Sequence, residues 1–407
     1  MKVLHTADWH IGKVLHKYPL REELKLFFDW LIELIKKENI DVLLVSGDIF
    51  DLANPAVKDR ELYYQFLSRL IKLEIQIVIT GGNHDAVGLL NAPQKILREL
   101  NIKVIGGATE EIEDELIEIT DDNGKVELVV AAVPFLRDKD LRTKESDEKY
   151  SNRTEAIREG IKEHYQQLAT ICESKYSNVP TIAMGHLYAK GSVTSESERD
   201  IHVGNAAAVE SSIFSNVFNY VALGHIHRPQ VIGNNQYIRY SGSPIALSFS
   251  EKTDNKSLII LDIEDGKIET PTVIEIPKFR ALQKFSGDLE SVKTKLKDFN
   301  PDYLLPSFVE IDIVEETYSA AVLTEVDELV ASYNDSEKFK ILKPRIQFNQ
   351  GVKDTSSLFE EGAHIEDLKP VDVFTKLMDI QLIDDEKQAL LKEAFLEVLE
   401  STNSIED

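Results

Sequence analysis

Five short stretches of this 407-residue chain carry side chains of the kind that hold metal ions. Asp8 and His10 follow the apolar run Val3-Leu4-His5, one residue apart. Asp48 follows Val42-Leu43-Leu44-Val45, and Asn83 and His84 follow Ile75 to Ile79. His186 comes after Thr181–Met184 as Gly185-His186, and His225 and His227 come after Tyr220–Leu223 in Gly224-His225-Ile226-His227. Leaving His84 aside, the set is two Asp, one Asn and four His, without Cys. A single ion takes about three or four protein ligands, so the set suits a pair of ions sharing a bridging carboxylate. Mixed oxygen and imidazole donors favour manganese, iron or zinc over calcium. Two ions about 3.5–4 Å apart are the recurring device for in-line displacement at phosphorus, where they activate water and draw charge from the phosphoryl oxygens. The leaving oxygen then needs a proton, and His84 is placed to give one. Asp51, three residues beyond Asp48, is expected to orient His84.

Each of these residues sits where a predicted strand ends. Glu22 to Lys37 carries a helical stripe of Leu24, Phe27, Phe28, Leu31, Ile32, Leu34 and Ile35, and a second helix is predicted over Leu62–Leu73. Strand, helix, strand, helix, strand over the first 110 residues predicts an α/β layer with parallel strands, whose functional residues collect beyond the strands' carboxyl ends. With one residue between them in extended chain, Asp8 and His10 would project to the same side. Gly47, Gly82, Gly185 and Gly224 immediately precede ligands, where the chain must turn sharply or pass close to another backbone. Further strands are predicted at Leu128–Val133, Tyr237–Tyr240 and Leu258–Ile263, and a helix at Thr154–Cys172. His5, His16, His164, His202 and His364 follow no such pattern and read as structural or solvent-facing.

The chain changes character near Pro277. Residues 279–350 read as a small α/β module, with helices at Leu289–Phe299 and Ala320–Ser332 and strands at Phe308–Val314 and Phe339–Ile346. Residues 351–362, from Gly351 to Gly362, read as a linker. Residues 363–407 read as two short acidic helices with apolar stripes Val371, Phe374, Leu377, Met378 and Leu391, Ala394, Phe395, Val398, Leu399. Such short helices bury too little alone, which points to a partner. The net charge is −25, from 46 basic and 71 acidic residues, which excludes a generic basic nucleic-acid or membrane-surface binder. Residues 1–110 are nearly neutral, 14 basic against 15 acidic, whereas 281–407 hold 13 against 28. With Cys172 the only cysteine and no apolar run of secretory or membrane-spanning type, the expected location is cytoplasmic.

Taken together, DxH at Asp8–His10, GDxxD at Gly47–Asp51, GNHD at Gly82–Asp85, GH at Gly185–His186 and GHxH at Gly224–His227 resemble the calcineurin-like metallophosphoesterase superfamily. LHTADWHIGK, VSGDIFD, GGNHDAVGLLN, RDIHVGN, YVALGHIHRPQ and IRYSGSPIALSFSE look more specifically like the SbcD family of bacterial nuclease subunits. The similarity is strong from Met1 to about Glu251 and weaker beyond. It implies an α/β fold built as a two-layered β-sandwich flanked by helices over 1–278, a DNA-capping domain over 279–350 and a helical segment over 363–407 that docks on an SbcC ATPase subunit. It also implies two divalent ions, manganese with magnesium as the alternative. One would be held by Asp8, His10, Asp48 and His227, the other by Asp48, Asn83, His186 and His225, with His84 the catalytic histidine. The implied activity is 3′-to-5′ exonuclease on duplex DNA and endonuclease on single strands and hairpins, ATP-dependent through SbcC, in repair, replication and recombination.

Lys13, Lys17 and Arg21 are expected to touch the DNA backbone. A homodimer within an SbcC2–SbcD2 assembly is implied, and the helix around Leu89–Leu100 is a candidate for its surface. The first 230 residues alone would also suit a nucleotide or cyclic-nucleotide phosphatase, and a scaffold role is a third reading. Residues 281–407 argue against the phosphatase, and the complete ligand set argues against the scaffold.

Overall fold

The computed structural model describes residues 1–121, 123–141, 153–199, 201, 208–334 and 336–350, together with Val371, Phe374, Met378, Gln388, Leu390, Leu391, Lys392, Ala394, Phe395 and Leu396. The expected linker at 351–362 and most of the expected segment at 363–407 lie outside the described residues. The chain divides into two units. The first is Met1–Lys284 with Asn300–Glu310 and Asp335–Lys343, and the second is Phe285–Phe299, Ile311–Asn334 and the described residues from Pro344 on.

In the first unit, strands Lys2–Thr6, Val42–Ser46, Gln76–Thr80 and Ile102–Ile105 run parallel, and Ser257–Glu264 pairs antiparallel on the far side of Lys2–Thr6. A second sheet carries Asn235–Tyr240, Tyr220–Gly224, Thr181–His186 and Val126–Ala132 in parallel, with Leu116–Thr120 antiparallel at its edge. Successive strand side chains point to opposite faces, and that alternation builds a sandwich. Val3, Val42, Leu44 and Val78 of the first sheet share one core with Leu128, Val130, Ala132, Ile182, Met184 and Ala222 of the second. Leu4, Leu43, Val45, Ile77 and Ile79 face the other way, onto Leu24, Phe27, Phe28 and Leu31 of helix Arg21–Glu38 and Phe66 of helix Val57–Ile71. Val129, Ala131, Ala183, Val221 and Leu223 face helix Arg153–Lys175 through Ile157, Ile161, Tyr165 and Leu168. Strands buried on both faces explain why the sequence shows continuous apolar runs rather than alternation.

Helix Arg21–Glu38 places Glu22 and Glu23 in its first turn and Lys36 and Lys37 in its last, complementing the helix dipole, and ends at Asn39 in the left-handed region (φ 53°). The single helix expected around Leu89–Leu100 is instead two, Val87–Asn91 and Gln94–Arg98, interrupted at Ala92-Pro93. Pro93 has no amide proton to continue the first of them.

In the second unit, Asp288 caps helix Leu289–Asp298 by accepting from the Ser291 amide at 2.7 Å, and Val292 and Leu296 are buried. Helix Ala320–Ser332 has the bounds expected from its sequence, and Lys293 pairs with Glu290 and Glu325. The described residues beyond Val371 are helical, with Phe374 stacked on Phe395 at a centroid distance of 4.1 Å and Met378 buried. A third sheet pairs Leu282–Gly287, Ser307–Thr317 and Phe339–Gln350 in that order. Among the described residues no helix is long and apolar enough to cross a membrane.

His5 is fully buried in the first strand, its Nδ1 3.0 Å from the Tyr220 hydroxyl and its Nε2 without a partner. Burial pushes its pKa down to about 3, so the ring is neutral in the folded protein. In the unfolded chain it takes up a proton near its ordinary value. Stability from this group is therefore complete above the unfolded pKa and falls as pH drops below it. Replacing His5 with Leu should flatten the loss of stability between about pH 6 and 4 by one proton's worth, about 1.4 kcal/mol per pH unit. Urea titrations of both proteins across that range measure it, and parallel slopes would contradict the account.

Candidate metal centre

Every ligand candidate from the five stretches arrives at one buried place at the carboxyl ends of the two sheets' strands. Asp8, His10, Asp48, His186, His225 and His227 are each at most 2% exposed. Asp48 lies at the middle: its Oδ2 is 3.4 Å from both His10 Nε2 and His186 Nε2 and 4.0 Å from His84 Nε2, while its Oδ1 accepts from the His84 amide at 2.9 Å. Asn83 Oδ1 is 2.9 Å from His186 Nε2 and 3.2 Å from His225 Nδ1. Asp8, His10 and His227 form one close group of potential ligand atoms, and Asp8, Asp48 and His186 another.

The backbone reaches these positions through unusual conformations. Asp8 (φ 54°), His10 (φ 46°), Asp48 (φ 48°) and His225 (φ 101°) all have left-handed φ. Asp8 and His10 therefore do not project from extended chain, as their spacing suggested; a left-handed kink at each residue aims them. Such conformations cost of order 1–3 kcal/mol each for non-glycine residues and persist where surrounding structure dictates them. Two of the glycines are required by close approach. A Cβ on Gly82 would strike the Asp48 carboxylate and amide, and one on Gly224 would strike the Ser46 carbonyl.

The imidazoles are oriented from outside. His186 Nδ1 lies 3.0 Å from the Ser46 carbonyl and His84 Nδ1 2.7 Å from the Asp51 carbonyl. A carbonyl only accepts, so both rings carry a proton on Nδ1, and the Nε2 lone pair of the neutral ring faces inward. His10 Nδ1 lies 3.2 Å from Asp51 Oδ1 and His227 Nδ1 2.5 Å from Ser197 Oγ. The expectation that the Asp51 side chain holds His84 is thus corrected. The Asp51 carboxylate serves His10 and Lys13, each at 3.2 Å, and it is the Asp51 main-chain carbonyl that holds His84.

Charge is redistributed across the cluster. Burial opposes the Asp48 charge, but His186, His10 and His84 hold its carboxyl well below the usual range. Burial pushes Asp8 up to about 7, with the Asp48 charge adding to the effect. Burial pushes His225 down to about 3 and holds His227 well below the ordinary imidazole range. His84 is lowered by burial, with His10 and Arg199 contributing. His186 overcomes its burial and is raised to about 9 by Asp48 and Asp8.

These residues fit divalent cations. His10 Nε2 and His227 Nε2 face each other at 3.0 Å, a contact that needs either a proton or a cation between two lone pairs. Asp8 Oδ2 and His225 Nε2 are buried without a hydrogen-bond partner, at a cost that ligation would remove. Of the expected DNA contacts, Lys13 pairs with Asp51 and Arg21 with Asp59 at 2.7 Å, whereas Lys17 is exposed without a carboxylate partner among the described residues.

Sequence reasoning passed over several residues that support the centre. Asp85, within GNHD, accepts from the amides of Gly82, Ile49 and Phe50 at 2.9, 3.0 and 2.9 Å, tying the Asp48 turn to the Asn83 turn. Its position directly after the candidate ligand Asn83 and His84 was the available signal. Glu198 accepts from the His227 amide at 2.9 Å, and Glu251 sits behind Ser197; neither has ligand-like spacing. Replacing Asp85 with Ala would leave three buried amides unsatisfied, and the variant should lose at least about 3 kcal/mol of stability in a denaturant titration. A loss below about 1 kcal/mol would contradict that role.

Residues 1–229 match the calcineurin-like phosphoesterase family model. Three bacterial proteins, each named as the SbcD component of the SbcCD nuclease, are similar to this chain. The Escherichia coli (strain K12) protein is 29% identical over 402 residues, covering 98% of both chains. The Rhodobacter capsulatus protein is 36% identical over 289 residues, covering 68% of this chain and 70% of its own. The Bacillus subtilis (strain 168) protein is 35% identical over 297 residues, covering 70% and 72%. The chain belongs to the calcineurin-like phosphoesterases, as a phosphodiester hydrolase with a binuclear metal site related to the SbcD component of bacterial SbcCD nucleases.

Proposed function

We propose that this chain is the DNA nuclease subunit of an SbcCD complex, a 3′-to-5′ exonuclease on double-stranded DNA and an endonuclease on single strands and hairpins. Its activity depends on ATP turnover by an SbcC partner and serves DNA repair, replication and recombination. The observation that carries the reading is the convergence of Asp8, His10, Asp48, Asn83, His186, His225 and His227 on one buried point with His84 beside it. In this reading Asp8, His10, Asp48 and His227 hold one ion, and Asp48, Asn83, His186 and His225 hold the other. Manganese is the preferred occupant and magnesium the alternative. Two such ions, when bound, would act as Lewis acids on the phosphodiester and would lower the pKa of a water so that it could lose a proton and attack phosphorus.

The protein's own groups do the rest. With the His84 Nδ1 proton committed to the Asp51 carbonyl, the proton that can move is the one on Nε2, on the side facing Asp48. His84 in its protonated form delivers that proton to the departing sugar oxygen. The Asp51 carboxylate, paired with His10 and Lys13, keeps the His10 ring turned inward. Lys17, with Lys13 and Arg21 nearby in sequence, is assigned to the DNA backbone. Residues 279–350 are assigned to capping the DNA and 363–407 to docking on SbcC. The assembly contains two copies of each protein, in the cytoplasm and on the nucleoid.

The reading is tested with manganese-loaded protein on a DNA hairpin and on linear duplex, with and without an SbcC-type ATPase, beside bis-p-nitrophenyl phosphate. His84→Asn should lower kcat by about 10²–10⁴-fold while leaving two ions bound, and Asp48→Ala should abolish both activity and ion pairing. Hydrolysis of the small diester with no DNA cleavage under any condition would favour the small-molecule phosphatase. Manganese at about a hundred times its Kd should also stabilise the folded chain by about 2.7 kcal/mol per site, read as a rise in Tm that a chelator reverses. An unchanged Tm would count against the centre.

A further inference from the structure

His227 differs from the other inward-facing rings in how it is held. His186 and His84 rest on main-chain carbonyls and His10 on a carboxylate, whereas His227 Nδ1 meets a hydroxyl, Ser197 Oγ, at 2.5 Å. A hydroxyl can donate or accept and so fixes no tautomer by itself. The fixing comes from behind it. Ser197 Oγ is also 2.5 Å from Glu251 Oε1, and the Glu251 carboxylate is 1% exposed.

Glu251 Oε2 is 2.5 Å from Lys256 Nζ and accepts from the Leu247 amide at 3.2 Å, and its Oε1 accepts from Ser195 and Ser248 hydroxyls at 3.1 and 3.2 Å. An ionised carboxylate only accepts, so the single Ser197 proton goes to Glu251. The Ser197 oxygen must then accept from His227 Nδ1–H, which leaves the Nε2 lone pair facing Asp8 and His10. The same network holds the His227 backbone. Lys256 Nζ donates to its carbonyl at 2.9 Å, and Glu198 accepts from its amide at 2.9 Å.

We infer that Glu251 is a positioning residue for His227, acting through Ser197 to keep the ring in the one tautomer and orientation that can ligate an ion. The inference rests on the reading of His227 as a metal ligand. It assigns to the Ser195–Glu198 segment and to Glu251 the supporting part that carbonyls play for His186. Partners of that kind are typically worth about 10–100-fold in metal affinity.

The test uses the full-length chain, stripped with chelator and titrated with manganese by calorimetry, with low-temperature electron paramagnetic resonance to separate coupled ion pairs from single ions. Ser197→Ala should bind one ion as wild type does and the other about 10–100-fold more weakly, with the coupled-pair signal replaced by that of isolated ions at limiting metal. Ser197→Thr, which keeps the hydroxyl, should restore the pair. Glu251→Gln should behave like Ser197→Ala.

Should the Glu251 variant fail to fold because Lys256 is left unpaired, the Ala and Thr variants at Ser197 still decide the matter, with metal-free Tm values showing that each is folded. Wild-type affinity for both ions in Ser197→Ala, or a Thr variant no better than Ala, would overturn the inference. Wild-type protein that binds fewer than two ions would instead overturn the reading of the centre itself.

Discussion

Keeping Asp48 ionised where water does not reach it is the constraint on which the rest of the site depends. A lone carboxylate in that position would cost several kcal/mol, and only close positive or donating partners offset it. Here the partners are the His10 and His186 rings at 3.4 Å and the His84 amide at 2.9 Å, drawn from separate strand ends of both sheets. Bringing them that close leaves no room for a Cβ on Gly82 and bends Asp8, His10 and Asp48 into left-handed conformations. Asp85 then holds two of the turns together through three amides. The sandwich core is what makes this arrangement stiff enough to persist.

How much of this could be read from sequence depended on how local the information was. The strands that deliver candidate ligands were legible because each is an apolar run ending in a polar residue, whereas runs buried on both faces gave no sign of which side chains turn to which layer. Strands Ile102–Ile105 and Leu116–Thr120 were missed, since each is short and carries a charged residue, Lys103 or Glu118, among its apolar ones. Strand Leu282–Gly287 was missed for a similar reason, with Gln283 and Lys284 inside it.

At the centre, the identity of the converging residues was legible and their secondary partners were not. Asp51 was expected to orient His84, but sequence cannot tell a side chain from a main-chain carbonyl as the group that meets it. Ser197 and Glu251 are 54 residues apart and come together only in the folded chain. Left-handed φ at Asp8, His10 and Asp48 leaves no trace in residue types chosen for ligation. The charge balance was informative about what the chain is not. Near the site, Lys13 and Arg21 are already paired with Asp51 and Asp59, so neither offers an uncompensated charge to a polyanion.

The Asp8 carboxylate accepts from the His225 amide 217 residues away, and His10 meets His227 across the same span. A chain emerging from the ribosome therefore contains most of the candidate ligands long before it contains His225 and His227. Contacts of such long range also form late, because their loop-closure cost must be met first. No nascent fragment ending short of His227 can bring all the candidate ligands together, and strands Asn235–Tyr240 and Ser257–Glu264, which complete the two sheets, are made later still.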